Sequence, residues 1–287
     1  MTKKYLKQDV IAYYDTCEVN YKRWWDLDRS LAMHAGFWDE KTKTLSQALM
    51  RENEILADIA KIKEGDRILD AGCGVGGSSF YLASQKGAEV TGITLSEKQV
   101  LTAKQKAEER KHLHRIPEFL VMDYIHTTFP NESFDVVWGL ESVCHAEDKR
   151  DFIREAQRIL KPNGRLIIAD GFTIKNDYTE SEKELLSKAV NGWAVNSMES
   201  IPNFTKYLNE FNFQNIIKKD ATHYVIPSSK RLFYYSFPAI AWSFLGEYIG
   251  WSTRTQTNDF KSYHYQYRAV KNGLCKYMIF YAEKASL

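Results

Sequence analysis

Cysteine is scarce in this chain and scattered. Cys17, Cys73, Cys144 and Cys275 show no C-x-x-C spacing, which speaks against zinc binding and against a disulfide framework. No metal is expected, and reduced thiols in a cytoplasmic setting are the default. Long apolar runs are missing too. None reaches the ~20 residues that span a bilayer. The opening Met-Thr-Lys-Lys-Tyr-Leu-Lys-Gln lacks the apolar centre of a secretory leader. Nor is there an excess of one charge. The formal net charge is +2, without a long basic or acidic block, so nothing suggests a nucleic-acid surface. The local cluster Lys111-His112-Leu113-His114-Arg115 reads as a solvated helix end, where cations are favoured. No internal repeat or low-complexity linker interrupts the chain.

What is present suits one large domain. The chain has 287 residues, 44% hydrophobic and 26% charged, as in ordinary globular proteins. Aromatics make up 14%, a hint of an aromatic-lined pocket beside their packing role. The organising stretch is 67–77, Arg-Ile-Leu-Asp-Ala-Gly-Cys-Gly-Val-Gly-Gly. A short apolar run ends at Asp70, glycines follow at 72, 74, 76 and 77, and a helix-compatible run begins. This pattern predicts a buried strand, a tight turn and a helix start. Glycines there let the backbone approach a ligand, and the helix N-terminus offers free N–H groups. A dinucleotide site would use Gly72, Gly74 and Gly77 and want an acid about 20 residues on. The second strand ends Thr91-Gly92-Ile93-Thr94 instead, which speaks against a nicotinamide oxidoreductase.

Taken in order, residues 8–25 read as one or two short helices and 45–62 as an amphipathic helix. Strands follow at 67–70, 89–95, 118–122, 134–140 and 165–170, with helices between them. Ser96 and Gln99 form an expected capping box for the helix after the second strand. The apolar stripe of 151–160 packs on a sheet, and Lys161-Pro162-Asn163-Gly164 breaks it. Residues 171–200 leave the simple alternation and would cover the strand ends. A helix at 201–211, a sixth strand around 215–227, an aromatic-rich stretch at 229–251 and a last strand at 276–282 complete the chain. The aromatic stretch leaves a lid helix, a dimer face and a membrane-surface contact open.

Asp70 directly on the strand end, followed by Gly72, Gly74 and Gly76, resembles the first motif of class I S-adenosylmethionine-dependent methyltransferases. Gly-Ile-Thr-Leu-Ser-x-x-Gln at 92–99 is similar to the corresponding segment of cyclopropane- and tocopherol-type enzymes. Glu141-Ser142 with His145 and Asp148-Lys149 resembles the fourth motif of tocopherol, sterol and natural-product methyltransferases. His34-Ala35-Gly36-Phe37-Trp38 is similar to their entrance segment, and Tyr13-Tyr14-Asp15 to their Tyr-Asp pair. The resemblance covers roughly residues 60–170. It implies a Rossmann-like α/β fold, with a seven-stranded, mostly parallel sheet and helices on both faces. It also implies an N-terminal helical cap (1–62), a cofactor core (63–170), and lid insertions after strands five and six (171–287), all in one domain.

The same resemblance implies S-adenosylmethionine as cofactor and assigns contacts to it. Tyr14 would close over the methionine part, and Asp70 would favour the cationic cofactor above the glycines. Thr94 and Gln99 would meet the ribose, and Asp123 the adenine amine, with Tyr124 and Leu140 beside it. For a hydroxyl or phenol acceptor, His145 is the candidate base, because imidazole titrates near neutrality. Asp170 would orient it or take the proton. For an alkene or aromatic carbon, Glu141 would stabilise a cation. The expected acceptor is a lipophilic or aromatic small molecule, such as a quinol, phenol, terpenoid or sterol-like compound. A small amine, as in sarcosine-type N-methyltransferases, is the alternative, and a SAM-binding protein without catalysis is the rival from another class. Monomer and homodimer both stay open.

Overall fold

Buried strands with apolar side chains on both faces need helices on both faces, and the chain supplies them. The computed structural model describes residues 4–111 and 113–286; the first three residues and His112 of the basic cluster lie outside these. In order the elements are α1 (Lys7–Trp24), α2 (Leu27–Ser30), α3 (Leu45–Ile59), β1 (Arg67–Ala71), α4 (Gly77–Lys86), β2 (Glu89–Thr94), α5 (Glu97–Glu109), β3 (Glu118–Val121) and β4 (Phe134–Leu140). Then come α6 (Lys149–Ile159), β5 (Leu160–Thr173), α7 (Glu180–Val190), α8 (Ile201–Glu210), β6 (Phe213–Asp220), α9 (Thr222–Ile249), α10 (Arg254–Lys271) and β7 (Cys275–Lys284).

Among the described residues the strands form one seven-stranded sheet in the order β3-β2-β1-β4-β5-β7-β6. β1 to β5 run parallel, and β7 enters antiparallel between β5 and β6. The period of two along each strand sorts side chains between two cores. Ile68, Val136 and Trp138 face the layer with α3 and α4. Leu69, Val137 and Ile168 face α6 and α8. The strand order reverses between β1 and β4, and the crevice beyond their carboxyl ends is where open α/β sheets bind ligands.

Four details depart from the sequence reading. β5 takes in Leu160 and the Lys-Pro-Asn-Gly break. Asn163 adopts φ +59°, and the pairing with β4 slips between Phe134 and Val136, so the break is a bulge rather than a loop. β6 ends at Asp220, not near 227. There the Asp220 carboxylate accepts the Thr222 N–H (2.9 Å), and Ala221 N–H bonds to the Tyr277 carbonyl (2.9 Å), which turns the chain into α9. Val225 belongs to the core under that helix. The capping box at Ser96 is half formed: Ser96 Oγ accepts the Gln99 N–H (3.2 Å), but the Gln99 side chain bonds to Thr94. Finally, residues 254–271 form a helix that the sequence reading left out.

Candidate active site

The glycine turn is anchored from below. The N–H groups of Gly72 and Cys73 both donate to the Ile93 carbonyl at 2.9 Å. Each glycine then serves a different need. At Gly72 (φ +91°) a Cβ would lie 2.3 Å from Ser142 Cβ, and at Gly76 (φ +96°) it would enter the Phe119 ring at 2.7 Å. Those two are glycine so that the protein can pack on itself. Gly74 (φ +55°) is the one whose Cβ would meet nothing within 4 Å, because it borders a cavity of about 250 Å³. Gly72 also borders that cavity, whereas Gly76 does not.

The cavity collects most of the expected site. Tyr14, Asp70, Thr94, Gln99, Tyr124 and Leu140 line it, as do Glu141, His145 and Asp170. Asp123 stands outside the wall. Its Oδ1 accepts the Ile125 N–H (3.1 Å) and its Oδ2 pairs with Lys7 of α1, so the carboxylate serves a turn and the cap.

Asp70 is fully buried, and one oxygen accepts the Ser79 hydroxyl (2.6 Å). Burial pushes its carboxyl up to about 6, against the opposing pull of that hydroxyl. A desolvated carboxyl at a cavity wall is costly to ionise until a cation or donor arrives. Thr94 Oγ1 donates to Gln99 Oε1 (2.7 Å), while Gln99 Nε2 has only the Met33 sulfur at 4.0 Å, a weak acceptor. An amide donor, a desolvated carboxyl and an open glycine therefore converge on one space. These residues fit a cationic cofactor with ribose hydroxyls.

The segment after β4 is held as a unit. Ser142 Oγ donates to the Ala71 carbonyl (2.5 Å), tying the ends of β4 and β1, and Tyr124 OH donates to the Ser142 carbonyl (2.9 Å). A short 3-10 turn, Val143–His145, follows. Lys149 caps it by donating to the Cys144 (2.8 Å) and Ala146 (2.6 Å) carbonyls, as a cation at a helical C-terminus should. Asp148 caps the start of α6. The Asp-Lys pair thus builds the loop that presents His145.

His145 is half-buried, and desolvation, reinforced by the Lys149 ammonium, holds it down at about 4. It is neutral at physiological pH. Burial keeps the Tyr14 phenol protonated, well above its ordinary range, and its hydroxyl lies 2.9 Å from His145 Nε2, a hydrogen bond whose direction follows the imidazole tautomer. Tyr14 therefore meets the histidine while lining the same cavity as the glycine turn. Asp170 does not orient His145. Its oxygens accept the backbone N–H groups of Gly171 and Cys144, both at 2.8 Å, and burial pushes it up to about 6.

Glu141 sits at φ +47°, a strained position for a non-glycine residue. Its Oε1 meets the Ala35 N–H (2.7 Å) and the Tyr277 hydroxyl (2.8 Å), and the same hydroxyl meets Glu52 Oε1 at 2.7 Å. One phenol proton cannot serve two carboxylates. Burial, with the Glu52 carboxylate, raises Glu141 well above its ordinary range, so a shared extra proton resolves the conflict. The sequence reading missed Glu52 and Tyr277. It also missed Asp259 of α10, which accepts from Tyr13 OH (3.0 Å), Asn20 Nδ2 (2.8 Å) and Tyr263 OH (2.9 Å) and so fastens α1 over the cavity. The pattern Thr253-x-x-Gln256, a capping box, was the available signal for that helix.

The sheet order, the glycine turn after β1 and the loop after β4 define a class I S-adenosylmethionine-dependent methyltransferase. The family model described as "Methyltransferase domain" matches residues 69–168. 27-O-demethylrifamycin SV methyltransferase of Amycolatopsis mediterranei (strain S699) is 33% identical over 200 residues, 68% of this chain and 71% of that enzyme. Tocopherol O-methyltransferase, chloroplastic, of Arabidopsis thaliana is 32% identical over 212 residues, 68% of this chain and 61% of that enzyme. Among solved structures, the [4+2]-cyclase SpnF matches 99% of this chain and 98% of its own with a TM-score of 0.79 at 21% identity, a likeness of fold alone. The chain belongs to the class I methyltransferases that act on small molecules, and S-adenosylmethionine is its cofactor.

Proposed function

We propose that this methyltransferase methylates an oxygen of a lipophilic or aromatic small molecule, with His145 receiving the acceptor's proton. When bound, the cofactor supplies an electrophilic methyl group on a sulfonium centre. Asp70, Gly74, Thr94 and Gln99 would hold it. His145 is neutral, and its Nε2 meets the Tyr14 hydroxyl; in the tautomer with that nitrogen unprotonated, an acceptor hydroxyl takes the place of Tyr14. The proton leaving that hydroxyl passes to Nε2 as its oxygen takes the methyl group. Aligning the acceptor with the departing sulfur is the remaining task of the cavity wall.

The observation that carries this reading is the character of that wall. Trp24, Trp193, Val195, Met198, Leu232 and Val270 contribute to it, an apolar and aromatic surface suited to a lipophilic acceptor.

The test is transfer of label from methyl-labelled S-adenosylmethionine to a quinol, a prenylated phenol, a terpenoid alcohol and dimethylglycine. Label on a phenolic or quinol oxygen is expected. Label on the amine alone overturns the acceptor class, and cofactor binding without any transfer overturns the activity. In Gly74→Val the added side chain enters the cavity, so binding of S-adenosylhomocysteine in calorimetry should vanish. Retained binding would move the cofactor away from this turn.

A further inference from the structure

α9 is built inside out. Apart from Val225, its buried positions carry small residues: Ser228, Ser229, Ser236, Ser243 and Gly246. Ser236 Oγ donates to the Phe233 carbonyl (2.6 Å) and Ser243 Oγ to the Ile240 carbonyl (3.0 Å), so the helix's own backbone satisfies these two hydroxyls. The large apolar side chains point the other way. Phe237, Trp242, Tyr248 and Ile249, with Trp251 just beyond, are all more than half exposed. A helix at a water surface has the reverse arrangement, and a contiguous apolar patch marks a surface that something covers.

Its chemistry says what covers it. Tryptophan and tyrosine combine an apolar body with a polar tip, which suits the headgroup level of a bilayer. Cations rim the patch. The Arg231 guanidinium lies 5.2 Å from the Tyr235 ring centre, and Lys261 Nζ lies 4.9 Å from that of Phe244. Among the described residues, Lys230, Arg231 and Lys261 have no ion-pair partner. Glu247, the one carboxylate on α9, is taken by Thr257 and Arg254. A second copy related by a two-fold axis would set cations against cations. No described helix is long and apolar enough to cross a membrane. An aromatic face rimmed by cations instead lies in the plane of an anionic interface.

We propose that the outward face of α9, with Trp251, docks on an anionic lipid bilayer. Its rings enter the headgroup layer, and Lys230, Arg231 and Lys261 meet the phosphates. The first turns of the same helix, through Val225, Ser228, Ser229 and Leu232, wall the active-site cavity, so docking brings that wall to the lipid. The surface stands on its exposed side chains alone; only its use in collecting a lipophilic acceptor rests on the proposed function.

Flotation tests it, using vesicles of phosphatidylcholine and vesicles of equal parts phosphatidylcholine and phosphatidylglycerol. The protein should float with the anionic vesicles, less so at high salt, and not with the neutral ones. Trp242→Ser combined with Tyr248→Ser, and separately Lys230→Glu combined with Lys261→Glu, should each lower partitioning by about tenfold or more. Both variants should keep their affinity for S-adenosylhomocysteine, which shows that they fold. Absence of flotation, or flotation that neither variant weakens, overturns the proposal. So does a dimer in sedimentation that the aromatic variant dissociates without any vesicle binding, or an acidic protein partner in place of lipid. Failure of the wild type to bind S-adenosylhomocysteine would count against the methyltransferase reading and leave the vesicle result standing.

Discussion

His145 owes its state to what surrounds it rather than to its own chemistry. Burial and Lys149 favour the neutral ring, and the Tyr14 hydroxyl lies 2.9 Å from its Nε2. Because its proton affinity is depressed to about 4, the base form persists well below the usual imidazole range. At saturating cofactor, kcat should therefore fall only as pH approaches about 4, not near 6.5. His145→Ala should lower turnover by about 10²–10⁴-fold while leaving cofactor affinity within a few-fold. Stopped assays across pH, with calorimetry on the variant, check both, and unchanged turnover would remove the residue from the reaction. Individual site residues were legible where a motif named them: Asp70, Thr94, Gln99 and His145 all reach one cavity. Their hydrogen-bond partners were not. Asp170 lies on the same cavity but spends its oxygens on backbone N–H groups, and nothing in its spacing distinguishes the two uses. Gly72 looked like a ligand contact in sequence, yet its missing side chain makes room for Ser142, 70 positions later.

At the level of elements, the parallel core was readable because each strand is an apolar run closed by a turn signal. The caps were harder. α9 carries Pro227 and Pro238 inside it, and its buried face is mostly serine and glycine, so the usual large apolar stripe at a period of 3.6 is missing. α10 has a polar composition, and its buried centre is a carboxylate. Asp259 holds Tyr13, Asn20 and Tyr263 together, and replacing it with alanine would take the acceptor from buried donors on Asn20 and Tyr263 and leave Tyr13 only the Tyr21 hydroxyl at 3.0 Å. Asp259→Ala should cost about 2–4 kcal/mol, read from urea unfolding, and should loosen α1 to limited proteolysis. Its pH dependence has a definite sign. Burial raises this carboxyl to about 6 in the fold, so its proton is held more tightly than in the unfolded chain. That contribution is complete below about pH 4 and lost as pH rises through about 6. The penalty of the substitution should accordingly be larger at pH 5 than at pH 8. The opposite order would show that Asp259 is held as a carboxylate.

Over the whole molecule, cofactor and fold stability are linked through Asp70. S-adenosylhomocysteine at about 100 times its Kd should add about 2.7 kcal/mol, a rise of ~5 °C in melting temperature for a chain of this size. At pH 5 the gain should shrink. Asp70 is raised to about 6, so only about a tenth is ionised there, and affinity should drop about tenfold, or 1.4 kcal/mol. Scanning calorimetry at pH 8 and pH 5 measures the difference. An equal shift at both values would mean that the Asp70 carboxylate does not contact the ligand.

The clasp between α1 and α10 also dictates an order of assembly. Tyr13 and Asp259 are separated by 246 positions, and Asn20 and Asp259 by 239. During synthesis the leading helix emerges long before its carboxylate anchor exists, and contacts this distant along the chain close slowly. The sheet can therefore form around the glycine turn while the chamber still has no roof, and the enzyme gains a shielded interior only once α10 has left the ribosome.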